Sequence, residues 1–134
     1  MTNRRCRERP PQGLLEGIEL FNAGEYFECH EVLEDIWRAE RDPVRALYQG
    51  ILQVGVAFHH LHRSNWRGAV KLLDGGIDKV SRFLPSCMGV DTLALDQASR
   101  ACLSLLQDLG PERVHEFDWS LIPTIVVSHV SDEV

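Results

Sequence analysis

Residues 46–62 read ALYQGILQVGVAFHHLH, without one Asp, Glu, Lys or Arg in a chain whose overall composition is 25% charged. Such a stretch is either a membrane span or a helix at the centre of a globular domain. A span needs about 20 mostly apolar residues. This stretch is shorter and carries Gln49, Gln53, His59, His60 and His62, groups that are costly in hydrocarbon. It therefore reads as a central helix, apolar nearly all round because neighbours cover it on several sides.

The flanking sequence supplies those neighbours. Tyr26, His30, Leu33 and Trp37 recur at i, i+4, i+7 and i+11, which places them on one face of a helix. Leu14, Leu15, Ile18 and Phe21 mark an earlier helix over 12–22, and Gly24, able to take positive φ, turns the chain between the two. Asp42 and Pro43 form a start signal for the central helix, which extends to about Arg63. Ser64 and Asn65 cap a fourth helix with an apolar stripe at Trp66, Ala69, Val70, Leu73, Ile77, Val80 and Leu84. Gly75 and Gly76 interrupt it at a cost of roughly 2 kcal/mol against alanine, so either a close helix contact offsets them or the helix bends there. Asp91 caps a fifth helix with Ala94, Ala98, Ala101, Cys102, Leu105 and Leu109 facing inward, ended by Gly110 and Pro111. The remainder, with its IPTIVV run at 122–127, has no helical period and reads as an extended tail able to lie across the helices or form a short strand. The expected fold is all-α: a compact bundle of about five helices with an extended C-terminal tail, a basic flexible arm over 1–11 and a single helical domain over 12–134.

A chain of 134 residues, 44% hydrophobic, can build one core. The net charge of −6 disfavours nucleic acid and anionic membranes as partners. Arg4, Arg5, Arg7 and Arg9 are followed by Pro10 and Pro11 and not by an apolar run, so the start of the chain lacks the pattern of a secretory or twin-arginine signal; a cytoplasmic location is expected. Cys6, Cys29, Cys87 and Cys102 show no metal-ligand spacing and read as buried free thiols. A homodimer is compatible with the long apolar central helix, although no surface in the sequence demands one.

One polar set stands out against this frame. His30 and Glu34 share the inward face of the second helix with Leu33 and Trp37, and a carboxylate there must be paired, protonated or bound to a cation. On the central helix Gln49, Gln53, Val56 and His60 fall within about 60° of one another. Buried amides need polar partners, and the acidic helix is the nearest supply, so the line is expected to face His30 and Glu34. His59 and His62 are expected to point away from it, by about 80° and about 140°, with His62 at the surface; His115 and His129 stand alone. Three readings fit. The set is a satisfied network fixing helix register; or His30, Glu34 and His60 hold a divalent metal such as zinc with Glu31 as general base; or the amides and imidazoles read a small polar ligand. The HExxE string at His30–Glu34 compares with the HExxH of zinc peptidases, with Glu34 where the second histidine would stand. Cysteine catalysis fits less well, because Cys29 sits about 100° from His30 around the helix.

FECHEVLEDIW (27–37), LYQGILQVGVAFHHL (47–61) and NWRGAVKLL (65–73) together resemble the small helical family called domain of unknown function 309, over about residues 13–85. His30, Glu31, Glu34 and Trp37 carry its HExxExxW signature. The resemblance implies a compact all-α fold and brings no activity, substrate or cofactor with it. The leading expectation is a binding or interaction module with a buried polar cluster of His30, Glu34, Gln49, Gln53, His60 and Trp37; the alternative is a metal-dependent hydrolase built on the HExxE helix.

Overall fold

A computed structural model describes residues 3–128, and within them the protein is all-α. The five helices are α1 (Gln12–Asn22), α2 (Tyr26–Ala39), α3 (Arg45–His62), α4 (Trp66–Val80) and α5 (Thr92–Leu109). Short 3₁₀ turns occur at Arg4–Arg7, Ser81–Phe83, Pro111–Glu116 and Trp119–Leu121. Each of α2 to α5 packs on the helix before it, and α3 is the axis of the bundle, gripped by α2 on one side and α4 on the other. Leu47, Tyr48, Ile51, Val54, Ala57, Phe58 and Leu61 of α3 are all buried, as an uncharged central helix requires. No helix among the described residues is long and apolar enough to cross a membrane.

The two glycine positions facing each other across α3 and α4 explain how close these helices lie. A Cβ on Gly76 would fall 2.9 Å from the Gly50 carbonyl oxygen and 2.7 Å from Val54 Cγ2, and one on Gly50 would fall 2.9 Å from Val80 Cγ2. The Gly75–Gly76 pair is thus offset by helix contact: α4 runs unbroken through it. Asn65 and Asp91 cap α4 and α5 as expected, their side chains accepting from Gly68 N at 3.0 Å and Ala94 N at 2.9 Å. Trp66 Nε1 donates to the Leu106 carbonyl at 2.6 Å, joining α4 to the last turn of α5 through an oxygen that also accepts from Gly110 N at 3.0 Å.

Several expectations need correction. Asp42 does not cap α3, which begins at Arg45, because its carboxylate instead accepts from Arg5 Nη1 at 2.6 Å. Ala94 and Ala101 are exposed; α5 buries Thr92, Leu95, Asp96, Ser99, Cys102, Leu106 and Leu109, a stripe set by Leu and not by the alanines. The arm is not frayed over the residues described. Arg5 bonds both Glu40 carboxylate oxygens, at 2.9 and 3.1 Å, and Cys6 forms a disulfide with Cys87. That pairing withdraws the free-thiol reading for two of the four cysteines. Cys29 and Cys102 are free and buried, and burial pushes their thiols up to about 12 and about 11, well away from the reactive thiolate.

The segment after α5 wraps back over the bundle. The Asn22 side chain, at the end of α1, pairs with the Ile125 backbone in both directions, accepting at 2.7 Å and donating at 2.9 Å. Val127 and Val90 form an isolated bridge, and Asp91 N donates to the Val126 carbonyl. The tail is therefore extended and pinned across the helices, with isolated bridges and no strand among the described residues.

Candidate functional site

The stripe of α3 that meets α2 is not the glutamine line. The Gln53 amide oxygen lies over Gly75 of α4, 3.2 Å from where a Cβ would stand, and the His60 ring lies against Gly68 at the start of α4. His60 Nδ1 is 3.2 Å from Asn65 Nδ2, so the imidazole belongs to the α3–α4 corner. Burial, followed by the charges of His59 and Arg63, holds its pKa below the ordinary histidine value. Gln53 Oε1 is buried without a hydrogen-bond partner, and Gln49 is half-buried with none among the described residues. The expected meeting of these amides with His30 and Glu34 does not occur. Val56 is half-buried between the two outcomes: it shares the line's arc and reaches the α2 side.

What α2 meets instead is Val56 with His59. Tyr26, Phe27, His30, Val56 and His59 line a surface notch of about 170 Å³ between the two helices. Phe27 is 56% exposed, an unusual position for a phenylalanine, with its ring centroid 6.1 Å from that of His59 and 6.4 Å from that of His30. Tyr26 is buried and closes the floor, stacking edge-on against Phe21 at 5.5 Å and tilted on Phe58 at 5.8 Å. Beside it His62 lies sandwiched between Tyr26 and Trp119, 4.6 Å from the latter ring, so the expected surface histidine is exposed yet holds the tail in place. His59 points away from the glutamine line, as its angle requires, and so falls on the α2 side. A test of 52, 56 and 59 as an alternative stripe would have found it, since Leu52 and Val56 supply the apolar periodicity.

The HExxE motif forms a ladder along the outer side of α2. His30 Nε2 lies 3.0 Å from Glu34 Oε2, and Arg38 closes on the other carboxylate oxygen. The ladder is half-exposed, so Glu34 is paired as its placement required, though by solvent-facing partners and not in the core. Glu31 is fully on the surface. Trp37 is half-buried and carries Arg45, whose guanidinium sits 4.7 Å over the ring and donates to the Trp37 carbonyl at 3.3 Å. His30 and Glu34 offer two neighbouring donors, but His60 is turned to the other side of α3. Among the described residues no three His, Cys, Asp or Glu side chains gather closely enough to hold a metal ion. The proposed three-ligand set of His30, Glu34 and His60 is corrected on that ground. His115 is exposed and makes no site, and His129 lies outside the described residues.

Residues 14–72, which include α2, the notch and all of α3, match the domain of unknown function DUF309. Over that stretch the chain is similar to the DUF309 family. It is also 38% identical over 69 residues to the uncharacterized protein YpuF of Bacillus subtilis (strain 168), an alignment covering 50% of this chain and 40% of that protein. The matched segment contains the HExxExxW signature and both walls of the notch, while the disulfide cysteines, α5 and the tail lie outside it.

Proposed function

We propose that this protein is a protein-binding module and that the notch between α2 and α3 receives an apolar side chain of its partner. The observation that carries this reading is Phe27, held open to solvent over a pocket whose floor is the aromatic core. Burying an exposed phenylalanine and the wall beside it is favourable by about 25 cal/mol for each Å² of apolar surface removed from water, and exposed aromatics of this kind are where binding energy concentrates at interfaces. The volume suits one aliphatic or aromatic side chain and not a whole cofactor. The imidazoles of His30 and His59 at the rim add hydrogen-bonding groups for the partner's backbone.

Selection of random peptides of about 12 residues displayed on phage against the purified chain tests the reading. Enriched peptides should share one apolar anchor, and Phe27→Ala should weaken them about tenfold, or about 1.4 kcal/mol, while the denaturation midpoint stays in place because the side chain is exposed. Failure to enrich any peptide, or enrichment of peptides indifferent to Phe27→Ala, would refute it.

A further inference from the structure

We infer that the segment seated at the notch is proline-rich and extended: a polyproline stretch of another protein that sets one proline in the notch and the proline three residues away against Trp119. The inference rests on the notch being a binding site and adds the chemistry of what fills it. The notch is lined by Tyr26, Phe27, His30, Val56 and His59, with no carboxylate, Lys or Arg among them. Tyr26 carries the aromatic surface onward, since His62 stacks on it and Trp119 stacks on His62. Trp119 is 44% exposed, and its indole N–H has no hydrogen-bond partner among the described residues. The neighbouring Asp118 carboxylate is taken by the Ser120 N–H and hydroxyl, at 3.0 and 2.6 Å. The row of rings from Phe27 to Trp119 thus offers N–H donors and no fixed charge.

Spacing and electrostatic complementarity select the same occupant. The ring centres of Tyr26 and Trp119 lie 5.9 and 4.6 Å from that of His62 on its two sides, so at most about 10 Å separates the notch floor from the indole, close to the roughly 9 Å spanned by three residues of a polyproline helix. Such a helix makes no internal hydrogen bonds, so its carbonyls point outward as neutral acceptors, and proline has no N–H to compete for them. The indole N–H and the His59 imidazole, which also lacks a hydrogen-bond partner among the described residues, are the matching neutral donors. An α-helical segment would leave those donors idle because its carbonyls are bonded internally, and a charged segment would find no opposite charge in the lining. Stiffness adds to the match, since a segment already extended loses little freedom on binding.

Three synthetic peptides of about 12 residues test this by fluorescence anisotropy: one with prolines three apart, one of the same composition with the prolines shuffled out of that spacing, and one helical peptide with leucine as its anchor. The proline-spaced peptide should bind at least about tenfold more tightly than either of the others, and raising salt from about 50 to about 500 mM should change its affinity less than about twofold. Trp119→Phe, which keeps a ring on His62 and removes the indole N–H, should weaken it about fivefold with the circular dichroism unchanged, and Phe27→Ala about tenfold. Equal binding of the helical and proline-spaced peptides, each lost in Phe27→Ala, overturns the proline-rich partner and leaves the notch standing; equal binding of the shuffled peptide does the same. Binding of the proline-spaced peptide that ignores Phe27→Ala overturns the notch itself. Binding that ignores Trp119→Phe, or none at about 1 mM, where even weak interfaces register, overturns the inference.

Discussion

His60 shows how one side chain's environment sets a pH dependence. Its Nδ1 can accept the Asn65 amide proton only while the imidazole is neutral, and the Asn65 oxygen in turn caps α4 through Gly68 N. The folded-state pKa lies below the ordinary 6.5, chiefly through burial. The unfolded chain therefore takes up a proton at higher pH than the folded one, so stability present above about 6.5 declines as pH falls through the folded value. Thermal melts at pH 7.5 and pH 5.5 should show a smaller loss for His60→Gln than for the wild type; identical losses would show that the imidazole stays neutral or is too solvated to matter. Carboxylates held down by arginines, Glu40 by Arg5 foremost, act in a separate, more acidic window below their ordinary 4.5. That His60 is polar and helical was legible in its spacing. Which neighbour it served was not, because an angle of some tens of degrees separates the α2 side of α3 from the α4 side.

Between elements, adjacent glycines in α4 have opposite expected responses. Gly76→Ala places a methyl within contact of the Gly50 carbonyl and the Val54 backbone, groups that move only if the helices part. The expected cost is about 1 to 3 kcal/mol even after the helix-propensity gain of about 1 kcal/mol. Gly75→Ala meets only the end of the Gln53 side chain at 3.2 Å, so propensity dominates and the variant should be neutral or stabilised by up to about 1 kcal/mol. Urea midpoints of the two variants check this, and equal destabilisation would mean that α4 approaches α3 at both positions. The helices themselves were readable from apolar period and caps, with Asn65 and Asp91 doing what their positions indicated. Errors arose where a long-range contact took a local signal away: Asp42 left the α3 start for Arg5, and the leucines of α5 outweighed its alanines in choosing the buried face, since they exclude more apolar surface from water.

At the scale of the molecule, the Cys6–Cys87 disulfide joins two segments 81 residues apart that both lie outside the matched domain. Closing so long a loop restricts the unfolded chain, and replacing both cysteines with serine should lower stability by roughly 2 to 4 kcal/mol. Denaturant midpoints of the oxidised protein and the double variant measure it. Mass spectrometry after alkylation should find no adduct on the native oxidised chain and modification of Cys29 and Cys102 once it is unfolded. An unchanged midpoint would mean that Arg5 and its partners at Glu40 and Asp42 hold the arm without the bond.

Period, caps and charge content, all local properties, were enough to establish an all-α bundle with its uncharged helix at the centre, because a helix repeats its geometry every few residues and apolar surface must be covered. Assembly alone decided which stripe of α3 met α2, whether His30 and Glu34 faced the core or the solvent, and which cysteines paired. Those choices depend on helix rotation and on contacts between residues far apart in the chain, and rotating α3 by less than a quarter turn exchanges a glutamine line for a notch of Val56 and His59 under Phe27.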